Sequence, residues 1–338
     1  MPTITSEKPG VSATIASSRD WLPVALWAVA VTLTAAAACL RPDALPPAAR
    51  ATAGPFATLA AIIAGSVLAD RLGVFRVLAA LLIRDRAPRG VAAASVLAFT
   101  AVVSGLANLD VAVVVAMPVA LQAARRHRIC AGRLAVAVAL TANAASFLLP
   151  TSNITSLLLL GRVALPPLAY LRGSWLAWLL VVAVTVGSLS LWLAPAGPGP
   201  QARAAGGRPS VRAALDLIPM FAAASAIRAI LAAGLTLRGP LAAQLITGSA
   251  LAAALNNLPA AAALRPAGTA GLWAAILATA IGPGLLLTGS VATLICRRIA
   301  RDAGVTLRAW QYTAIGAALA PAQLAAGVIG LHLTGAFR

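Results

Sequence analysis

The sequence predicts an all-α polytopic membrane protein built from two inverted-topology repeats, each with a re-entrant helical hairpin and a broken transmembrane helix. Three observations predict it: long apolar runs almost free of charge, arginines gathered into a few loops, and polar interruptions that recur in the same order in both halves. Of 338 residues, 61% are hydrophobic and 10% charged, with a mean hydropathy of +0.92. That apolar share is well above the roughly 45–50% of soluble domains. The net charge of +18, from 26 basic and 8 acidic residues, would suit a nucleic-acid partner, but such proteins set their basic residues on a polar, solvated face. No nucleic acid is expected, and the lipid bilayer is the first partner.

Residues 1–20 are polar and form an N-terminal tail. The run Trp21–Leu40 follows Lys8 and Arg19 as a signal-peptide core would. It exceeds the usual ~7–15-residue core and many runs follow it, so it reads as a retained first helix. Further apolar stretches lie at about 52–69, 90–124, 134–160, 174–194, 211–233, 241–264, 268–296 and 309–333. They amount to about seven full crossings plus two hairpins. The Pro- and Gly-rich linker 195–210 joins a first transmembrane half, 21–194, to a second, 211–338. Asp70–Arg86 alternates apolar and charged residues at helical spacing and suits an amphipathic helix at the membrane interface.

Cytoplasmic loops retain Lys and Arg. The tail and the clusters Arg71–Arg89, Arg125–Arg133, Arg203–Arg212 and Arg297–Arg308 hold 18 of the 26 basic residues, so the N-terminus and the linker are expected in the cytoplasm. A single lysine, Lys8, and abundant Ala read as the coding bias of a GC-rich genome, hence a bacterial cell (inner) membrane. Arg41, Arg50, Arg162, Arg172, Arg238 and Arg265 stay isolated on the other side, and Arg228 reads as reaching the outer interface.

Residues 90–124 begin and end at arginine clusters, and Ser104–Asp110 divides them into two arms of about 15 residues. Each arm is ~22 Å at 1.5 Å per residue, short of the ~30 Å hydrocarbon core. A turn inside the membrane, tolerated only where protein buries it or a cavity meets it, fits better than two crossings. The pattern recurs: Gly105-Leu-Ala-Asn108-Leu-Asp110 corresponds to Ala254-Leu-Asn256-Asn257-Leu-Pro259, in a second hairpin, 241–264. Leu149-Pro-Thr151-Ser-Asn153 corresponds to Leu286-Leu-Thr288-Gly-Ser290, inside broken helices 134–160 and 268–296. With the linker inside, the second copy enters from the other face, the construction of secondary transporters. The bland alternative is that these small polar residues are only packing contacts.

Asp110 is the one acid deep inside an apolar segment, where a carboxylate usually marks a proton or ion pathway; the alternative is a carboxyl that only holds the turn. Asn108, Asn256 and Asn257 at the hairpin tips could coordinate a cation or a hydroxylated solute, or simply cap tight turns. Pro150-Thr151-Ser152-Asn153 and Gly282-Pro283 through Ser290 should unwind their helices, leaving half-helices that start near Ile154 and Val291. Three scattered cysteines and two histidines offer no disulfide framework, metal cluster or cofactor site, and no P-loop, HExxH or nucleophile elbow is present. A non-enzyme is expected.

Ala107-Asn-Leu-Asp110 leading to Met117-Pro118, then Thr141-Ala-Asn143-Ala-Ala-Ser146-Phe-Leu-Leu-Pro150-Thr-Ser-Asn153, resembles the arsenite permease family (arsenical pump membrane proteins) of the ion-transporter superfamily, related to citrate and dicarboxylate carriers. Leu255-Asn-Asn257-Leu-Pro259 and Gly289-Ser-Val-Ala-Thr-Leu294 before Arg297-Arg298 look like its closing signature. The resemblance implies antiport: proton-coupled efflux of arsenite or antimonite, a small inorganic solute, giving arsenical resistance, with an ATPase subunit as an optional partner and a homodimer as a possible assembly. It implies a site of Asn108, Asp110, Asn143, Thr151, Ser152 and Asn153 in the first half, and Asn256, Asn257, Thr288 and Ser290 in the second. The chain departs from the pattern at Ala280, where a polar residue is usual before Gly-Pro, and at Leu109 and Ser156; it is also short by several scaffold helices. The competing readings are a Na⁺- or H⁺-coupled dicarboxylate or oxyanion transporter of the same fold, and a degenerate non-transporting membrane subunit.

Overall fold

A computed structural model describes residues 21–74, 77, 80–81, 87–195 and 217–337. The tail 1–20, most of the interfacial segment Asp70–Arg86, most of the linker 195–210 and Asp216 lie outside the described residues. Among the described residues the chain is helical, and the one β-type pairing is an isolated bridge between Leu235 and Leu264. Five helical stretches are long and apolar enough to cross a membrane: Pro42–Ala69, Arg89–Leu106, Pro167–Leu193, Gly268–Leu285 and Ala309–Leu333. The architecture is that of a helical membrane protein.

Helices α1 (Trp21–Leu40) and α2 (Leu45–Arg71) pack on α8 (Leu217–Ile230), and α2 is tied to it by a 2.6 Å hydrogen bond between the Thr52 and Ser225 hydroxyls. The rest is two sets of similar parts. In the first, α3 (Arg89–Leu106) and α4 (Leu109–Arg126) form a hairpin over Ala107–Asn108. Next, α5 (Ala131–Ala144) stops and resumes as α6 (Ile154–Leu160), and α7 (Pro167–Leu193) follows. In the second, α9 (Leu241–Leu255) and α10 (Asn257–Ala263) turn at Asn256, α11 (Gly268–Ile281) resumes as α12 (Val291–Asp302), and α13 (Ala309–Leu333) closes the chain. The halves interlock, because α4 packs on α12, α10 packs on α6, and α7 runs against α13.

Two dimensions differ from the sequence expectation. The arms of the first hairpin are 18 residues each, not about 15. At ~27 Å arm length alone does not separate a re-entrant hairpin from two crossings. The helices are longer because their polar ends, Arg89 and Arg125–Arg126, are wound into them. In the second hairpin the arms are unequal, 15 and 7 residues. The tip is located by packing: Asn108 sits against the break in the α5–α6 pair, where the seven-residue α6 resumes the helix.

The arginine-rich loops after α4 and α12 come together at one end, where a Cβ on Gly132 would stand 3.2 Å from the Thr306 carbonyl. Small residues bring α7 and α13 to close range, as expected where lipid offers no hydrophobic drive to pack helices. A Cβ on Gly330 would collide with the Ala177 backbone. Gln323 Nε2 donates to Thr185 Oγ1 at 2.9 Å across the same seam. Gly330→Ala is therefore expected to lower Tm in detergent by several degrees, a cost of about 1–3 kcal/mol. Gly90→Ala, where a Cβ meets nothing within 4 Å, leaves Tm unchanged or slightly raised.

Candidate functional site

A helix that stops inside an apolar protein releases carbonyls that need donors. At the first break α7 supplies them. Trp178 Nε1 donates to the Ala145 carbonyl at 2.8 Å, Tyr170 OH to Phe147 at 3.1 Å, and Ser174 Oγ to Leu148 at 2.7 Å. Ser152 Oγ accepts from the Leu149 amide and donates to the Gly105 carbonyl, tying the break to the hairpin. Asn153 caps α6 by accepting from the Thr155 amide at 3.1 Å, while its Nδ2 donates to Ser146 Oγ. Ser152 and Asn153 are thus engaged in holding the break open, and α6 starts at Ile154 as the sequence predicts.

Each hairpin tip is clamped to a break by the same pair of bonds. Asn108 Oδ1 accepts from the Asp110 amide at 2.9 Å, and its Nδ2 donates to the Thr151 carbonyl at 3.0 Å. Asn256 Oδ1 accepts from the Leu258 amide at 3.3 Å, and its Nδ2 donates to the Thr288 carbonyl at 3.0 Å. The Asn108 counterpart is therefore Asn256, one residue earlier than the sequence pairing with Asn257. Asn256 has φ +78° and ψ 148°, a backbone region that residues other than glycine rarely adopt. The Asn257 amide nitrogen of the main chain donates to the Gly289 carbonyl, while its buried side chain makes no hydrogen bond among the described residues. Thr151 and Thr288 contribute carbonyls to the clamps rather than hydroxyls.

The two breaks meet through Asn143. Its Nδ2 donates to the Ala139 carbonyl and to Thr293 Oγ1, both at 2.9 Å. Thr293 is 3.2 Å from Tyr312 OH, which donates to the Pro283 carbonyl freed by the second break. Among the described residues Asn143 Oδ1 remains buried without a partner, and so does Ser290 Oγ at the start of α12, three residues before Thr293. Unlike Asn153, Ser290 does not cap its helix. Thr141 Oγ1 on α5 and Ser249 Oγ on α9 are likewise buried and unpartnered. Asp110 lies half-buried in the first turn of α4, and its carboxylate takes part in no hydrogen bond or ion pair among the described residues. Buried polar groups are normally paired, so unmet acceptors and hydroxyls at this junction mark where a polar solute could bind.

The chain matches no protein-family model and no curated protein. The site thus stands on its geometry. Sequence reasoning missed Thr293, Ser146 and Tyr312. The chain has only two tyrosines, and each is the fourth residue of the helix that follows a broken one, α7 or α13; that spacing was the available signal. Among the described residues no three His, Cys, Asp or Glu side chains converge. Asn108→Ala strips both the Thr151 carbonyl and the Asp110 amide of partners in a buried setting. Its expected cost is about 1–3 kcal/mol in unfolding free energy. Asn256→Gly, which loses a clamp more open to solvent but relieves the backbone at φ +78°, costs less in the same measurement.

Proposed function

We propose that the chain is a secondary active transporter of the bacterial cell membrane that exports arsenite or antimonite in exchange for protons. The observation that carries this reading is the junction of the two helix breaks, where Asn143 Oδ1 and Ser290 Oγ are buried without partners. A trivalent metalloid hydroxide is neutral at physiological pH and presents hydroxyl groups. Those hydroxyls can donate to Asn143 Oδ1 and exchange hydrogen bonds with Ser290 Oγ without an ionic partner. Asp110, in the first turn of the helix that starts at the clamp, would gain and lose the coupling proton as the hairpin meets either face.

In this reading the two halves are inverted repeats. The α3–α4 hairpin enters from the cytoplasmic face, where the arginine clusters lie, and the α9–α10 hairpin enters from the outer face. The N-terminus is cytoplasmic, and an ATPase subunit is an optional partner. The clamps hold each tip to its own break, so movement of one interlocked set against the scaffold of α7 and α13 would open the junction to one face at a time.

Everted vesicles test this directly. Wild-type protein is expected to accumulate arsenite under an imposed pH gradient. Asp110→Asn should lose at least tenfold of the gradient-driven rate, and Ser290→Ala should raise the half-saturating arsenite concentration about tenfold, the worth of one buried hydrogen bond. Full gradient dependence in Asp110→Asn would remove Asp110 as the proton carrier. Absence of metalloid transport by wild type under any gradient would favour a non-transporting membrane subunit.

A further inference from the structure

Three arginines far apart in sequence meet away from the helix breaks. Arg162 follows α6, Arg228 lies in the last turn of α8, and Arg265 follows α10. The fold accounts for part of what they do. Arg162 Nη2 donates to the Ala262 carbonyl at 2.8 Å, and Arg265 Nη1 to the Ala233 carbonyl at 3.4 Å, where helices end and carbonyls lack intrahelical donors. Arg162 Nε and Arg228 Nη1, however, are buried with no acceptor among the described residues. The charges acting on Arg162 among the described residues are the guanidinium groups of Arg228 and Arg265. Burial first, then Arg228 and Arg265, lower its pKa to about 10, so the Arg162 guanidinium remains a cation at neutral pH.

The backbone around them keeps the group open. The Leu235–Leu264 bridge is closed by Leu235 N donating to the Ala263 carbonyl at 2.8 Å and Arg265 N to the Leu235 carbonyl at 2.9 Å. Just before it, Gly234 has φ +70°, and a Cβ there would stand 2.6 Å from Arg265 Cβ and 3.3 Å from Arg162 Nη1. Arg265 also lines a shallow surface recess, with Gln244 and Leu237 on its wall. Unmatched buried donors are rare, and cations gathered without a counter-charge are costly. One oxyanion would answer both, since guanidinium groups present paired N–H donors to two oxygens at once.

We propose that Arg162, Arg228 and Arg265 form an oxyanion-binding site for a phosphate- or carboxylate-class group, entered beside Arg265 and Gln244. The site stands whichever solute binds at the helix breaks. Two sources share this chemistry: a free anion in solution and the phosphodiester headgroup of an anionic lipid.

The full-length protein in phosphatidylcholine nanodiscs is heated with inorganic phosphate, chloride balancing the ionic strength. In a second arm, phosphatidylglycerol replaces part of the lipid and phosphate is omitted. Tm is expected to rise by about 2 °C at tenfold excess over Kd in at least one arm. Arg228→Gln is expected to weaken the response about tenfold in concentration, the worth of a charge-assisted hydrogen bond. If that variant does not fold, Arg265→Gln, at an exposed position, carries the same test. A response to phosphate assigns a free anion, and a response to phosphatidylglycerol alone assigns the headgroup; either supports the site. No rise in either arm, or variants that respond like wild type, overturns it.

Discussion

The structure depends on one constraint: a helix broken inside an apolar protein must find donors for every carbonyl it releases. The fold meets this with side chains from a neighbouring scaffold helix. Tyr170, Ser174 and Trp178 on α7 serve the first break, and Tyr312 on α13 serves the second. Those bonds require each scaffold helix to lie close to its break, and Gly316 on α13, where a Cβ would collide with the Gly284 carbonyl, permits it at the second break. Once the breaks are stable, the hairpin tips can be clamped to them through Asn108 and Asn256.

The likeness of the two sets of helices extends beyond the clamps, and its exceptions bear on chemistry. Ser156 is 3.5 Å from Tyr170 OH, as Thr293 is 3.2 Å from Tyr312 OH. Asn143 bridges to Thr293, but the matching position before Gly282 is Ala280, so no amide reaches back toward Ser156. Asn153 caps α6, whereas Ser290 leaves α12 without a side-chain cap. The partnerless Asn143 and Ser290 atoms follow from these differences. A perfectly symmetric pair of breaks would satisfy more of its own polar groups and hold fewer for a solute.

Much of this was legible in the sequence. Pro150 and Gly282-Pro283 mark breaks because proline removes a donor and crowds the preceding turn, and the half-helices begin at Ile154 and Val291 as expected. The tip at Asn108 is equally local, a short polar residue capping the next helix. At Asn256-Asn257 either residue could serve, and only the backbone, with its positive φ at Asn256, decides which one does. Ser152 and Asn153 read as ligands because side-chain type does not reveal whether a hydroxyl or amide is already engaged. The meeting of Arg162, Arg228 and Arg265 left no trace in sequence, since each alone resembles an isolated arginine at a helix end.

The central proposal is that the two clamped hairpins insert from opposite faces of the membrane. Gly90, at the base of α3, and Ala242, at the base of α9, are suited to report it; a Cβ at Gly90 meets nothing within 4 Å, and Ala242 is exposed. With Cys39, Cys130 and Cys296 replaced, Gly90→Cys and Ala242→Cys are labelled by a membrane-impermeant thiol reagent in right-side-out and everted vesicles. Opposite insertion predicts that Gly90→Cys labels only in everted vesicles and Ala242→Cys only in right-side-out ones. Labelling of both from the same face would contradict it.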